Sequence, residues 1–141
     1  MSLNFLVKKN PVIVTEDTSV KEAAKKMLSE NVGTVIIVKK EGDSKACGIL
    51  TDRDIALKFA ENNLDDKVLV KDIATSKIVS LKQNQGIKEL TSALCDHGIR
   101  RAIIVDDKDN IAGIASTDDL LVNLVGELQD IKKAIESQVC W

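Results

Sequence analysis

Aromatic residues are nearly absent from this chain: two Phe, one Trp and no Tyr make up 2% of its 141 residues. Lys and Arg number 20 against 22 Asp and Glu, for a net charge of −2. With neither a stacking platform for bases nor a basic stripe for phosphates, nucleic acid is not an expected partner. Histidine occurs once, as His97, and the cysteines, Cys47, Cys95 and Cys140, are far apart and form no CxxC pair. That set supplies neither a zinc site of the usual ligand types nor a disulfide framework, so the cysteines read as reduced, incidental thiols and no metal or cofactor is expected. No stretch approaches the roughly 18–20 unbroken apolar residues of a membrane span. Residues 1–10 also lack a signal peptide's apolar core and cleavage site. A GxxxxGK[ST] phosphate loop is missing, and no histidine or metal cluster accompanies the carboxylates, so catalysis is not expected. These absences set the expectation of a soluble, cytoplasmic protein that is no enzyme and contacts no membrane.

What is present is a globular composition, 44% hydrophobic and 30% charged, in a chain of single-domain length. It contains an internal repeat. VIVTEDTSVKEAAKKMLSENVGTVIIV, residues 12–38, is followed by a polar turn and GILTDRDIAL, residues 48–57. VSLKQNQGIKELTSALCDHGIRRAIIV, residues 79–105, is followed by a shorter turn and GIASTDDLLV, residues 113–122. Val20 matches Ile87, Glu22 matches Glu89, and Gly48, Thr51 and Asp54 match Gly113, Ser116 and Asp119, all in the same order.

Each copy predicts the same elements. A short β run (residues 12–14; 78–81) leads into an amphipathic helix. Val20, Ala23, Ala24, Met27 and Leu28 carry its apolar spacing in the first copy, and Ile87, Leu90, Ala93 and Leu94 in the second. Two β-branched runs follow, residues 34–38 with 46–50 and residues 101–105 with 111–115, and then a helix beginning at Thr51 or Ser116. The fold class is α/β, two β-α-β-β-α repeats too small to bury enough surface singly and therefore packed together. Residues 8–62 form the first repeat, 63–77 a connector with one helical turn, 78–128 the second repeat, and 129–141 a helical tail.

The duplicated unit, the GILTDRDI and GIASTDDL segments, and the approach sequences KKNPVIV and TSKIVSL together resemble a tandem pair of CBS domains, a Bateman module. The resemblance runs from about Lys8 to Leu128. It implies two repeats packed through their sheets, with two equivalent clefts between them that bind AMP, ADP, ATP or S-adenosylmethionine. The module would be a regulatory sensor of cellular energy; a ligand-independent protein-interaction module is the alternative. The regulated partner is unknown.

In such a module a hydroxyl and a carboxylate three residues apart, Thr51 with Asp54 and Ser116 with Asp119, stand where a strand turns into a helix. The helix start and hydroxyl favour a phosphate, and a carboxylate one turn along can accept from both ribose hydroxyls. Locally the same spacing is also that of a helix cap. The resemblance further implies that basic residues opening the second strand of one copy reach the phosphate of a nucleotide whose ribose the other copy holds. Here those positions are Arg100 and Arg101 in the second copy but Gly33 and Thr34 in the first. Thr51, Arg53, Asp54, Arg100 and Arg101 would thus make one site, with Ile78 and Val79 against the base. Ser116 and Asp119 would make the other, with Pro11 and Val12 against the base, Asp118 where the first site has Arg53, and no matching arginine pair. Charge-assisted contacts are the stronger ones, so phosphate should prefer the Asp54 site.

After Asp119, the apolar residues Leu121, Leu124, Leu128, Ile131 and Ile135 recur at three- and four-residue steps. Residues 120–125 are expected to close the second repeat's core. The stripe beyond them, with the resemblance, implies a homodimer joined through helices.

Overall fold

Two three-stranded sheets lie at the centre of the molecule, each built from one repeat. The structure is a computed structural model describing residues 2–61 and 64–139. Met1, residues 62 and 63 at the expected repeat–connector junction, Cys140 with its incidental-thiol reading, and Trp141 therefore lie outside the described residues.

In the first repeat β1 (Ile13–Thr15) leads to α1 (Val20–Glu30), β2 (Thr34–Val38), β3 (Gly48–Thr51) and α2 (Asp52–Ala60). A single helical turn, α3 (Val70–Ile73), precedes the second copy: β4 (Ser80–Lys82), α4 (Ile87–His97), β5 (Arg101–Val105), β6 (Ile111–Ser116) and α5 (Thr117–Val139). In both sheets the first strand pairs parallel to the second and the second antiparallel to the third, with Ile13 against Ile36 and Ser80 against Ile103.

The middle strands explain why residues 34–38 and 101–105 read as unbroken apolar runs: both of their faces are covered. Val35 and Ile37 pack beneath α1 with Val20, Ala23 and Met27, whereas Ile36 turns the other way. Ile36 meets Ile103 and Val105 in a layer between the sheets, and Ala102 and Ile104 face the second repeat's helices. The α/β pair of repeats packed through their sheets is the architecture expected from the sequence. α1 starts at Ser19, whose hydroxyl accepts from the Glu22 N–H at 3.1 Å, and ends at Asn31 in a left-handed conformation, φ 52°.

The segments before the two repeats are part of the cores. Leu3 and Leu6, in and just after a 3-10 turn (Leu3–Phe5), are buried with Leu90, Leu94 and Leu120. Val70, in α3, is buried in the first repeat's core. The edges match as well: Lys8 bridges Ile114, as Thr75 bridges Ile49. The N-terminal arm and the segment before the second repeat are thus a further duplicated element, each sewn to the opposite repeat.

Two expectations about helix faces are corrected. Leu28 is 84% exposed, since Val20, Ala23 and Met27 already fill the narrow stripe of α1 that faces its sheet. Of residues 120–125 only Leu120 is buried; Leu121, Val122, Leu124 and Val125 are exposed, because the 3-10 turn supplies Leu3 and Leu6 to the place they were expected to fill.

Two perturbed acids mark the β5–β6 turn, away from the helix starts. Hydrogen bonds from Asn110 hold the Asp106 carboxyl below the usual range, and Lys82 at 2.6 Å does the same to Asp109. Burial raises the Cys47 thiol, with a smaller contribution from Glu16.

Candidate binding clefts

β3 and β6 each end in a hydroxyl residue that caps the following helix, and the two caps open onto separate cavities. Thr51 accepts from Asp54 N at 3.2 Å and donates its own N–H to Asp54 Oδ2 at 2.9 Å, a reciprocal capping box. Ser116 repeats it, accepting from Asp119 N at 3.1 Å while its N–H and hydroxyl reach Asp119 Oδ2 at 3.2 and 2.6 Å. The caps engage Oδ2 of both aspartates, whereas Oδ1 makes no hydrogen bond among the described residues. Each aspartate is only half-buried, so a cap role and a ligand role are compatible in one carboxylate.

The Asp54 cavity, about 490 Å3, is lined by Thr51, Arg53, Asp54, Ile78, Val79, Arg100 and Arg101. The Asp119 cavity, about 300 Å3, is lined by Pro11, Val12, Gly33, Thr34, Ser116 and Asp119. Both volumes fall within the ~300–1,000 Å3 of small-molecule sites. Strand placement accounts for the membership. Val12 and Val79 precede β1 and β4, where their carbonyls still accept from Ile36 and Ile103 at 2.9 and 3.0 Å while their side chains are half-buried at the cleft.

The structure adds residues that the sequence reading did not place, and they amend its account of charge. Lys8 and Lys9 line the Asp119 cavity because the N-terminal arm runs beside β6, and Arg101 borders that cavity as well as the Asp54 one. The Asp119 cleft therefore has cations, although Gly33 and Thr34 still leave it without an arginine pair from its facing strand. Lys77 and Asp52 join the Asp54 cleft, and Glu30 the other, where Asp118 also lies as expected. The signal that could have found Lys8 and Lys77 is the pair of approach sequences KKNPVIV and TSKIVSL, from which Pro11, Val12, Ile78 and Val79 were placed but not the lysines beside them. Arg100 reaches Asp118 at 3.5 Å, with both side chains 72% exposed. The Thr34 hydroxyl is buried without a hydrogen-bond partner, leaving a donor and acceptor free beside the Asp119 cleft.

Among the described residues no helix is long and apolar enough to cross a membrane, and no group of His, Cys, Asp and Glu is assembled that could hold a metal ion.

Two repeats with capped strand ends facing two interdomain clefts define a paired module. The CBS domain family model matches it twice, at residues 5–61 and 70–126, and the chain belongs to the CBS domain family. It is 36% identical over 110 residues to the CBS domain-containing protein YhcV of Bacillus subtilis, covering 78% of this chain and 76% of that one. Other curated relatives are longer: the chain spans 50% of one from Methanopyrus kandleri and 63% of one from Methanocaldococcus jannaschii. Among solved structures, it superposes on the CBS domain protein PAE2072 from Pyrobaculum aerophilum complexed with AMP with a TM-score of 0.78. That match has 22% identity and covers 85% of this chain and 90% of that one. The CBS domain pair of protein MJ0100, in complex with 5′-methylthioadenosine and S-adenosyl-L-methionine, gives a TM-score of 0.80 at 24% identity over 90% of this chain and 98% of that one. At these identities the two structures speak for the fold.

Proposed function

We propose that the protein is a non-catalytic sensor that reversibly binds an adenosine nucleotide or S-adenosylmethionine in its two clefts and passes the occupancy to a partner protein. The observation that carries this reading is the paired arrangement of cap and cleft. Each strand-to-helix junction sets a hydroxyl residue, a helix start and a carboxylate with one unengaged oxygen on a cavity with apolar walls and cations at its edge. AMP in PAE2072, and 5′-methylthioadenosine with S-adenosylmethionine in MJ0100, support an adenosyl compound as the ligand class.

In the Asp54 cleft, Asp54 accepts from the ribose, Thr51 and the start of α2 meet the phosphate with Arg100 and Arg101, and Ile78 and Val79 flank the base. Asp119, Ser116, Pro11 and Val12 do the same in the second cleft, with Lys8 and Lys9 in place of the arginine pair. Phosphate binds more tightly at Asp54, because guanidinium grips it bidentately where ammonium acts as a point charge.

A thermal-shift screen of AMP, ADP, ATP and S-adenosylmethionine tests the reading, since a ligand that binds only the folded state raises the melting temperature. No shift with any of them, on protein purified free of nucleotide, turns the choice to a ligand-independent interaction module. The exposed apolar residues of α2 and α5, Leu57, Phe59, Leu121, Leu124, Leu128, Ile131 and Ile135, support self-association into a homodimer. Sedimentation as a monomer at micromolar concentration would exclude it.

A further inference from the structure

We propose that the two clefts are electrostatically coupled, so that a phosphate-bearing ligand in the Asp54 cleft weakens phosphate binding in the Asp119 cleft, and the reverse. This rests on the reading of the clefts as nucleotide sites. Two observations carry it independently.

Arg101 borders both cavities. It opens β5 directly opposite Ser116 in the sheet, which ties its backbone to the strand end that caps the Asp119 cleft. Its half-buried side chain is one guanidinium serving two anion sites. A bidentate grip on phosphate in one cleft withdraws it from the other.

Arg100 lines the Asp54 cleft and Asp118 the Asp119 cleft, and the two are paired at 3.5 Å. An ion pair so exposed is weak and readily exchanged. A phosphate that recruits Arg100 into the Asp54 cleft leaves Asp118 bare in the other, where its charge repels a second phosphate. Both effects have the same sign, and linkage makes the penalty mutual. The first repeat has no counterpart, since Gly33 and Thr34 stand where Arg100 and Arg101 would be. A ligand without phosphate draws on neither arginine and is indifferent to the other cleft. The module's response to a nucleotide is thereby spread over a wider concentration range than two independent sites would give.

Site-resolved NMR titration separates the clefts, with the Gly33 amide reporting the Asp119 cleft and the Gly98 amide the Asp54 cleft. The expected result is that Gly33 titrates with AMP about tenfold more tightly in Asp54→Ala, whose Asp54 cleft stays empty, than in the wild type. With adenosine the two Gly33 curves coincide, and in an Arg101→Gln background the AMP difference shrinks to about twofold or less. Asp118→Asn, a change at an exposed position, gives a second route: in its background the AMP difference at Gly33 between Asp54→Ala and the protein with Asp54 intact shrinks as well. Coincident AMP curves in the wild type and Asp54→Ala, or a difference that neither Arg101→Gln nor Asp118→Asn diminishes, would overturn the coupling while both glycines still reported binding. If neither glycine responded to AMP or adenosine, nucleotide binding itself would fall and the coupling with it.

Discussion

Asp54→Ala separates the cap role of this carboxylate from the ligand role proposed for it. Structurally it deletes the acceptor for the Thr51 N–H while leaving the Thr51 hydroxyl to accept from residue 54, so half of the capping box is lost. A capping bond of this kind is worth about 1 kcal/mol, and for a domain of this size that lowers the melting temperature by about 3–5 °C. Its effect on binding is larger. Two ribose hydroxyls donating to an ionised carboxylate contribute about 1.5–3 kcal/mol each. After their return to water is allowed for, a loss of about 3 kcal/mol corresponds to a drop of about a hundredfold in affinity or more. Isothermal titration calorimetry with AMP, alongside a melting curve of the same sample, reads both. The ligand role is refuted by a variant that melts a few degrees lower but binds AMP at wild-type strength in both clefts, which would leave Asp54 a cap and nothing else. Asp119→Ala makes the comparison sharper, since it removes the equivalent acceptor from the Ser116 cap and should cost similar stability, yet weaken only the second cleft.

Gly33→Arg supplies the arginine that the first repeat lacks; a Cβ there would come within 2.9 Å only of the Asp52 carboxylate, the movable end of an exposed side chain, so the variant should fold and bind AMP severalfold more tightly in the Asp119 cleft by calorimetry. Leu3→Ala removes a fully buried side chain from the second repeat's core and should cost about 2–5 kcal/mol in urea unfolding; a cost near zero would show that the N-terminal arm is not part of the folded unit. Truncation after Glu127 removes Leu128, Ile131 and Ile135, each more than half exposed, and should abolish or weaken self-association by analytical ultracentrifugation while changing the melting temperature by no more than a few degrees.

The repeat was legible because each half needs the same burial. A strand covered on both faces must read as an apolar run, and residues 34–38 and 101–105 do. The caps were legible because a hydroxyl three residues before a carboxylate is a local signal that needs no knowledge of the remaining chain. The stretches ahead of the two approach sequences were not. Leu3 and Val70 are buried for the same reason at corresponding places, but the elements that carry them are a 3-10 turn and one helical turn, too short for any periodicity. With those segments unplaced, Lys8, Lys9 and Lys77 could not be assigned to a cleft. The exposed face of α5 was half legible: its spacing marked a stripe, but which part stays uncovered depends on what the N-terminal arm occupies.

The duplication also explains where asymmetry is tolerated. Positions facing the cores are apolar in both copies, with size traded between them, Ala23 and Leu50 in the first against Leu90 and Ala115 in the second, since each must fill the space beneath its sheet. The starts of β2 and β5 face the clefts instead, where side chains meet solvent or ligand and packing imposes little. It is there that Gly33 and Thr34 stand opposite Arg100 and Arg101, and just beyond the caps that Arg53 stands opposite Asp118. Charge can therefore diverge between the copies without cost to the fold, and an arginine at the seam, Arg101, comes to border both clefts. A symmetric scaffold with unlike charges at its two mouths cannot treat two equal anions equally.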